Sequence, residues 1–235
     1  MNKSISICSV SKDTYKFDRM LDSLDVSKYM SHSVEESRVS VNVYSIKGDK
    51  DQYDIFSGYN KAIEMSKDDY IVFVHDDVEF LCNSNAWSDL FRLLDQDDTG
   101  FVGVAGTRLL DTSGIWWNTL QTHGSGAVMH CNKEGNEWMT AYGVYGQTIV
   151  LDGVFLAARR SMLEYIGGFD SSHYKGFHFY DIDTTLQAHT KGYKNYTIPL
   201  LLKHHSIGDT ANNVGWAKNR KIFLKLWEKQ LPIRM

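Results

Sequence analysis

Three short polar clusters in this chain carry the residue types that do chemistry: His75-Asp76-Asp77, Tyr180-Asp181-Ile182-Asp183 and His204-His205. The first follows Tyr70-Ile71-Val72-Phe73-Val74, a short apolar run that predicts a strand buried on both faces. In open α/β sheets, ligands gather beyond the carboxyl ends of such strands. Two adjacent carboxylates and an imidazole at that point repel each other or stay protonated unless something positive sits among them. A divalent cation is the economical solution. In the second cluster, Asp181 and Asp183 suit a helix start, where a carboxylate caps the backbone or favours the dipole. The same carboxylate beside a charged ligand is placed to act as a general base. His204-His205 ends an apolar run much as His75 does, so a site shared with the first cluster is expected.

The elements that must position these clusters alternate between strand-like and helix-like periods, which argues for an α/β domain. Ile5–Val10 is a predicted strand and Tyr15–Lys28 a helix with Phe17, Met20, Leu21 and Leu24 at helical spacing. Residues 38–46 form a second strand, and Asp54–Ser66 a helix leading into the central strand. Further on, the pattern predicts a helix over Asn85–Leu94, a strand over Phe101–Leu110, and a long, partly extended excursion over 115–146. Gln147–Ala158 returns to strand. Ser161-Met162-Leu163-Glu164 has the form of a capping box for a short helix stopped by Gly167-Gly168. A helix over Asp181–Lys191 and a strand over Tyr196–Leu202 complete the pattern.

Composition supports a folded domain with a sizeable core: 43% of 235 residues are hydrophobic and only two are proline. No apolar stretch approaches the length of a membrane span or of a signal-peptide core. Cys8, Cys82 and Cys131 are odd in number and widely spaced, which reads as reduced cytoplasmic thiols. The net charge of −4 gives no general attraction to nucleic acid, but it hides an asymmetry. Residues 216–235 carry +5, leaving −9 for the rest.

At this point the ordered set of segments resembles a known family, the family 2 glycosyltransferases of the GT-A fold. Within it the nearest branch is the one typified by a domain from streptomycin biosynthesis. The matching pieces are Tyr59-Asn60, Phe73-Val74-His75-Asp76-Asp77-Val78, the segment 152–160, Ile166-Gly167-Gly168-Phe169-Asp170, Tyr180-Asp181-Ile182-Asp183 with Gly192-Tyr193, and His204-His205-Ser206-Ile207-Gly208. The resemblance covers residues 1–208 and leaves 209–235 as a basic amphipathic segment packed on or extending that domain. It implies a Rossmann-like α/β fold with a mostly parallel central sheet flanked by helices. The activity it implies is inverting transfer of a sugar from a nucleotide-diphosphate donor to an acceptor hydroxyl. By the same resemblance Asp77 ligates Mn²⁺ or Mg²⁺, with His205 or His204 as the late metal- or phosphate-contacting histidine. Asp76 approaches the ribose or the metal-bound water, and Asp181 is the base. Ser9, Val10, Ser11, Asn60 and Asp49 are expected around the nucleotide, and Asp152, Gly168 and Asp170 on the substrate side. The acceptor is left open between a glycan, a lipid-linked glycan, a small molecule, a protein and a nucleic-acid base.

Two departures from the family pattern stand out. His75 occupies the place of the first aspartate of the DxD motif, which adds an imidazole to the candidate metal set. Tyr180 replaces the usual glutamate before the base. Trp116 and Trp117 have two readings, buried core or a platform on which a sugar face stacks. The tail also has two. Trp216, Ile222, Phe223, Leu226 and Trp227 interleave with basic residues at helical spacing, which suits a solvated helix or docking, either on an anionic membrane face from the cytoplasmic side or on nucleic acid. Two rival functions are weighed against transfer. One is a domain of the same fold that only binds sugar nucleotide or glycan. The other is a mononuclear iron oxygenase, because His75, Asp77 and His205 spell a two-histidine, one-carboxylate triad. That chemistry usually occupies all-β folds.

Overall fold

The computed structural model describes residues 3–24, 39–48, 52–81, 84–206 and 214–235. Its centre is a seven-stranded sheet with spatial order β10-β13-β5-β12-β3-β1-β2. The strands are β1 (Lys3–Ser11), β2 (Val39–Lys47), β3 (Tyr70–Val74), β5 (Thr99–Gly103), β10 (Gln147–Thr148), β12 (Phe155–Arg159) and β13 (Lys194–Thr197). β3 is the buried strand that its sequence predicts, with every residue inaccessible or nearly so. It lies parallel to β1 and antiparallel to β12. The sheet is therefore mixed rather than mostly parallel: β1–β2, β1–β3 and β13–β5 are parallel, and the other three pairings are antiparallel. Segment 155–159 is entered from the short strand Val150–Leu151 through a three-residue turn, not from a helix, so it does not close a strand–helix–strand unit of the kind that makes neighbours parallel.

A second sheet packs at the carboxyl end of β3. Its order is β11-β6-β8-β14-β4, with β9 paired to β8. The members are β4 (Val78–Phe80), β6 (Ala105–Thr107), β8 (Gly124–Cys131), β9 (Glu137–Gly143), β11 (Val150–Leu151) and β14 (Leu202–His204). The predicted single strands Phe101–Leu110 and Gln147–Ala158 are each broken so that they serve both sheets, with β7 (Leu109–Leu110) as a further short piece. The second is broken at Ile149 and again over 152–154, where Asp152-Gly153 lies. The excursion over 115–146 is a short 3-10 turn (Trp116–Thr119), a one-turn helix (Leu120–His123) and the β8–β9 hairpin. Strand Tyr196–Leu202 is likewise two strands, Lys194–Thr197 and Leu202–His204.

The helices follow their apolar periods. Thr14–Ser23 is capped by Asp13, and the predicted remainder to Lys28 lies outside the described residues beyond Leu24. Ile55–Met65 begins with a capping box between Asp54 and Ser57 and buries Ile55, Phe56, Tyr59 and Ala62 against the sheet. The capping box expected at Ser161 does not form. That helix starts one residue earlier, at Arg160, without a side-chain cap, and Glu164 pairs with Arg160 instead. Gly167 ends it in a left-handed conformation (φ 93°), as the sequence indicates.

The basic tail folds as the helix Val214–Trp227, and its apolar face is already occupied. Trp216 and Phe223 are buried against Phe179, and Asn219 donates to the carbonyls of Lys175 and His178. Trp227 donates its indole N–H to Asp183 at 2.7 Å. Of the apolar residues expected to form a membrane-docking face, Trp216 and Phe223 are therefore turned inward, while Leu226 is exposed. No helix among the described residues is long and apolar enough to cross a membrane. Cys8 and Cys131 are buried free thiols, and Cys82 lies outside the described residues.

Candidate active site

A cleft of about 560 Å³ opens where β3 ends. Its polar wall begins with the loop 75–77, which is pinned on two sides. His75 N–H donates to Val154 O at 3.3 Å, and His205 N–H donates to Asp77 O at 2.8 Å. β14 pairs antiparallel with β4 so that His204 stands opposite Val78. These contacts bring His75, Asp77 and His204 together, with one potential ligand atom from each within 4.8 Å of the others. His204 Nε2 lies 3.2 Å from Asp77 Oδ1.

The histidine that completes this cluster is His204, not His205. Successive side chains of a strand alternate in face. His204 shares a face with buried Leu202 and points to the cleft. His205 follows Lys203 to the opposite side, where both meet Glu79, at 3.1 Å and 3.2 Å. That alternation was available in Leu202-Lys203-His204-His205, where the buried leucine marks the inward parity.

The electrostatics divide the carboxylates by duty. Burial alone would raise the Asp77 carboxyl, but the hydrogen bond and charge of His204, helped by His75, hold it well below the ordinary range. Burial and then the neighbouring His204 push the His75 imidazole down to about 4, so it is neutral at pH 7 and able to donate a lone pair. Asp76 is raised, first by burial, and takes a hydrogen bond from Ser11 Oγ at 2.6 Å.

Asp181 stands across the cleft on the first turn of the helix Tyr180–Thr190. It is not the N-cap; Phe179 is, in a left-handed conformation (φ 71°) with no side-chain cap bond. The carboxylate accepts the Gly153 N–H at 2.9 Å. Burial, and next the charge of Asp152, raise it to about 7, where a general base works best at neutral pH. Asp152 lines the cleft beside it and accepts the Val154 N–H at 2.9 Å.

The remaining expected residues divide. Val10, Trp116, Trp117 and Asp152 line the cleft. Trp116 is 6% exposed and belongs to the core, whereas Trp117 is 42% exposed beside Trp216. Ser11 reaches the site by holding Asp76, while Ser9 is buried outside the cleft lining. Asn60, Gly168 and Asp170 lie outside the cleft lining and meet within one loop region. Asn60 clamps Phe169 through both backbone groups, at 2.7 and 2.8 Å. Gly168 has φ 72°, and a Cβ there would sit 2.5 Å from Asn60 Oδ1, so only glycine closes that clamp. Asp170 accepts from Ser172 and His173 in its own turn. Asp49 lies outside the described residues. The cleft also contains His130, Tyr142, Phe177, Phe179 and Trp216, none of which the sequence marked as site residues. His130 is delivered by strand register opposite His204, a long-range pairing with no local signature.

Comparison with known proteins agrees with this geometry. A profile described as a glycosyltransferase-like family matches residues 26–227. A curated relative from Fuscovulum blasticum, named "ATP synthase subunits region ORF 6", is 25% identical over 205 residues, covering 85% of this chain and 74% of its own. Among solved structures, mannosyltransferase PcManGT from Pyrobaculum calidifontis, in complex with GDP-Man and Mn²⁺, superposes with a TM-score of 0.53 at 11% identity, over 97% of this chain and 71% of that one. GalNAc-T7 with UDP, GalNAc and Mn²⁺ gives 0.62 at 10% identity over 97% of this chain; the chain spans about half of that protein's length (48%). S. aureus TarS 1-349 gives 0.52 at 10% identity, over 86% and 60%. The family match carries no assignment to the streptomycin-biosynthesis-type branch. On the extent of the profile match and the fold, this chain belongs to the glycosyltransferase-like family and has the GT-A architecture.

Proposed function

We propose that this protein is a metal-dependent inverting glycosyltransferase that moves a sugar from a nucleoside-diphosphate donor to an acceptor hydroxyl. The observation that carries the reading is one cleft holding both a cation-binding cluster and a carboxyl poised near pH 7. Its volume falls within the usual span of small-molecule sites, roughly 300–1,000 Å³. The donor set fits a cation. Asp77 is ionised, His75 is neutral, and their ligand atoms converge with that of His204. Two imidazoles with one carboxylate favour Mn²⁺ over Mg²⁺, which prefers oxygen ligands throughout. A cation held there would neutralise charge developing on the leaving diphosphate.

The chain's own groups supply the rest. Asp181 accepts the proton of the acceptor hydroxyl as that oxygen attacks the sugar, and a single displacement with one base inverts the configuration. Asp152 keeps Asp181 from ionising too readily, so that it remains basic enough to take the proton. Trp117, exposed at the cleft, offers an aromatic face for the acceptor, which fits a glycan. The structures solved with GDP-Man or with UDP and Mn²⁺ support a nucleotide-sugar donor by likeness of fold.

A thermal-shift panel of nucleoside diphosphates, each with Mn²⁺, Mg²⁺, Fe²⁺ or chelator, tests this. A ligand that binds only the native state raises the melting temperature. Stabilisation by one diphosphate in Mn²⁺ alone supports the reading. Stabilisation by Fe²⁺ without any diphosphate response favours the iron-oxygenase reading, whose donor set this cluster also matches. Diphosphate binding without any hydrolysis of the matching nucleotide sugar favours a binding domain.

A further inference from the structure

The two departures from the family pattern, His75 and Tyr180, are 105 residues apart in sequence and touch in the structure. His75 Nε2 lies 2.6 Å from Tyr180 Oη, and Tyr180 Oη lies 2.8 Å from Gly153 O. A phenol has one proton, and a carbonyl can only accept. Both contacts are satisfied when the phenol donates to Gly153 O and accepts from an Nε2–H of His75. That arrangement leaves the His75 lone pair on Nδ1.

Two further features hold Tyr180 in place. Gly153 has no side chain, and a Cβ there would fall 2.0 Å from Tyr180 Oη, so the phenol reaches this carbonyl only past glycine. The residue before Tyr180, Phe179, is the one non-glycine residue with positive φ among the described residues, a conformation an aromatic side chain adopts at an energetic cost. Strain at such a turn is kept where it aims a group. Gly153 N–H in turn donates to Asp181, so the two backbone groups of one residue bond both the phenol and the base.

We propose that Tyr180 is a positioning residue: it fixes His75 as the Nε2–H tautomer and so presents Nδ1 to the cation. The proposal rests on the reading of His75, Asp77 and His204 as a cation site. Partners of this kind, hydrogen-bonded to the second nitrogen of a ligating histidine, commonly govern metal affinity by about 10–100-fold.

The test uses ¹⁵N-histidine-labelled full-length protein at neutral pH. The first readout, without metal, is the pair of ring-nitrogen shifts of His75, assigned by their loss in His75→Ala. The expected wild-type spectrum has a protonated Nε2 and an unprotonated Nδ1, and Tyr180→Phe, which keeps the ring and removes the hydroxyl, mixes the two tautomers. A wild-type His75 protonated on Nδ1 overturns the proposal, whether or not Tyr180→Phe folds. The second readout is affinity for Mn²⁺ alone, by electron paramagnetic resonance. Tyr180→Phe should weaken it about 10-fold with its melting temperature preserved, and should have no further effect in a His75→Ala background. Equal weakening in both backgrounds means a merely structural role and contradicts the proposal. Absence of Mn²⁺ binding to the wild type, with the tautomer as expected, instead removes the cation site on which the proposal rests.

Discussion

Asp181 and Asp183 sit two residues apart on one helix and live in opposite environments. Asp183 is 2% exposed and receives three donors: Trp227 Nε1 at 2.7 Å, Gln187 Nε2 at 2.7 Å and Tyr174 Oη at 3.0 Å. The first of those bonds ties the C-terminal helix to the body. Asp181 faces the cleft, holds one backbone N–H of the neighbouring loop, and stands against the like charge of Asp152. A buried carboxylate bonded to side chains of the core is structural, while one that faces a cleft beside another acid is poised to take a proton. Burial raises both carboxyls, so it does not identify the working one; the open cleft and the like charge of Asp152 set Asp181 apart.

The largest expected effect breaks the comparison at Asp181. Asp181→Asn should lower turnover by about 10²–10⁴-fold while donor affinity stays within a few-fold, read by steady-state kinetics and calorimetry. Asp183→Ala should do the reverse. It strands the indole N–H and phenol of the latch and should cost about 2–4 kcal/mol of stability, seen by denaturant unfolding, with a smaller loss of turnover per folded molecule.

Next comes the metal wall. His204→Ala should weaken Mn²⁺-dependent donor binding at least about 10-fold, whereas His205→Ala, whose side chain meets Glu79 on the far face, should leave it unchanged. Equal effects of the two would refute the parity argument.

A third prediction concerns pH. The folded-state pKa of Asp181 is raised to about 7, above its unfolded value, so the native state binds the extra proton. Its contribution to stability is therefore lost as pH rises from the unfolded carboxylate pKa of about 4 towards 7. Asp181→Asn should accordingly gain in melting temperature over the wild type as pH rises through that window, then hold the gain above it. Activity of the wild type should climb on a limb near pH 7. The smallest effect is at the aromatic wall. Trp117→Ala should raise the acceptor KM several-fold at constant melting temperature. Trp116→Ala, in the core, should cost about 3 kcal/mol or more.

Much of this arrangement is written locally in the sequence. The Tyr70–Val74 strand, the Asp54-capped helix and the Gly167 stop are each specified by residues within one or two turns of chain, and they fold as their patterns indicate. The position of Asp77 at a strand end followed from the first of these. What was not legible depends on distant pairing. The strand over 147–158 breaks at Ile149 and over 152–154 because two sheets share it, and no local residue pattern records that sharing. Asn60 and Asp170, expected around the ligands, bond within a loop, and a side chain that caps a turn has the same composition as one that meets a substrate. The His75–Tyr180 contact spans the two sequence departures, and only the fold reveals that they are one feature.

The account stands most directly on the separation of duties between Asp77 and Asp181, and calorimetric titration of one nucleoside diphosphate into wild type, Asp77→Ala and Asp181→Asn measures it. In Mn²⁺ the account predicts binding to the wild type and to Asp181→Asn with similar affinity. It predicts none to Asp77→Ala and none to any variant in chelator. Binding that survives chelation or the Asp77 change would contradict it, as would loss of binding in Asp181→Asn.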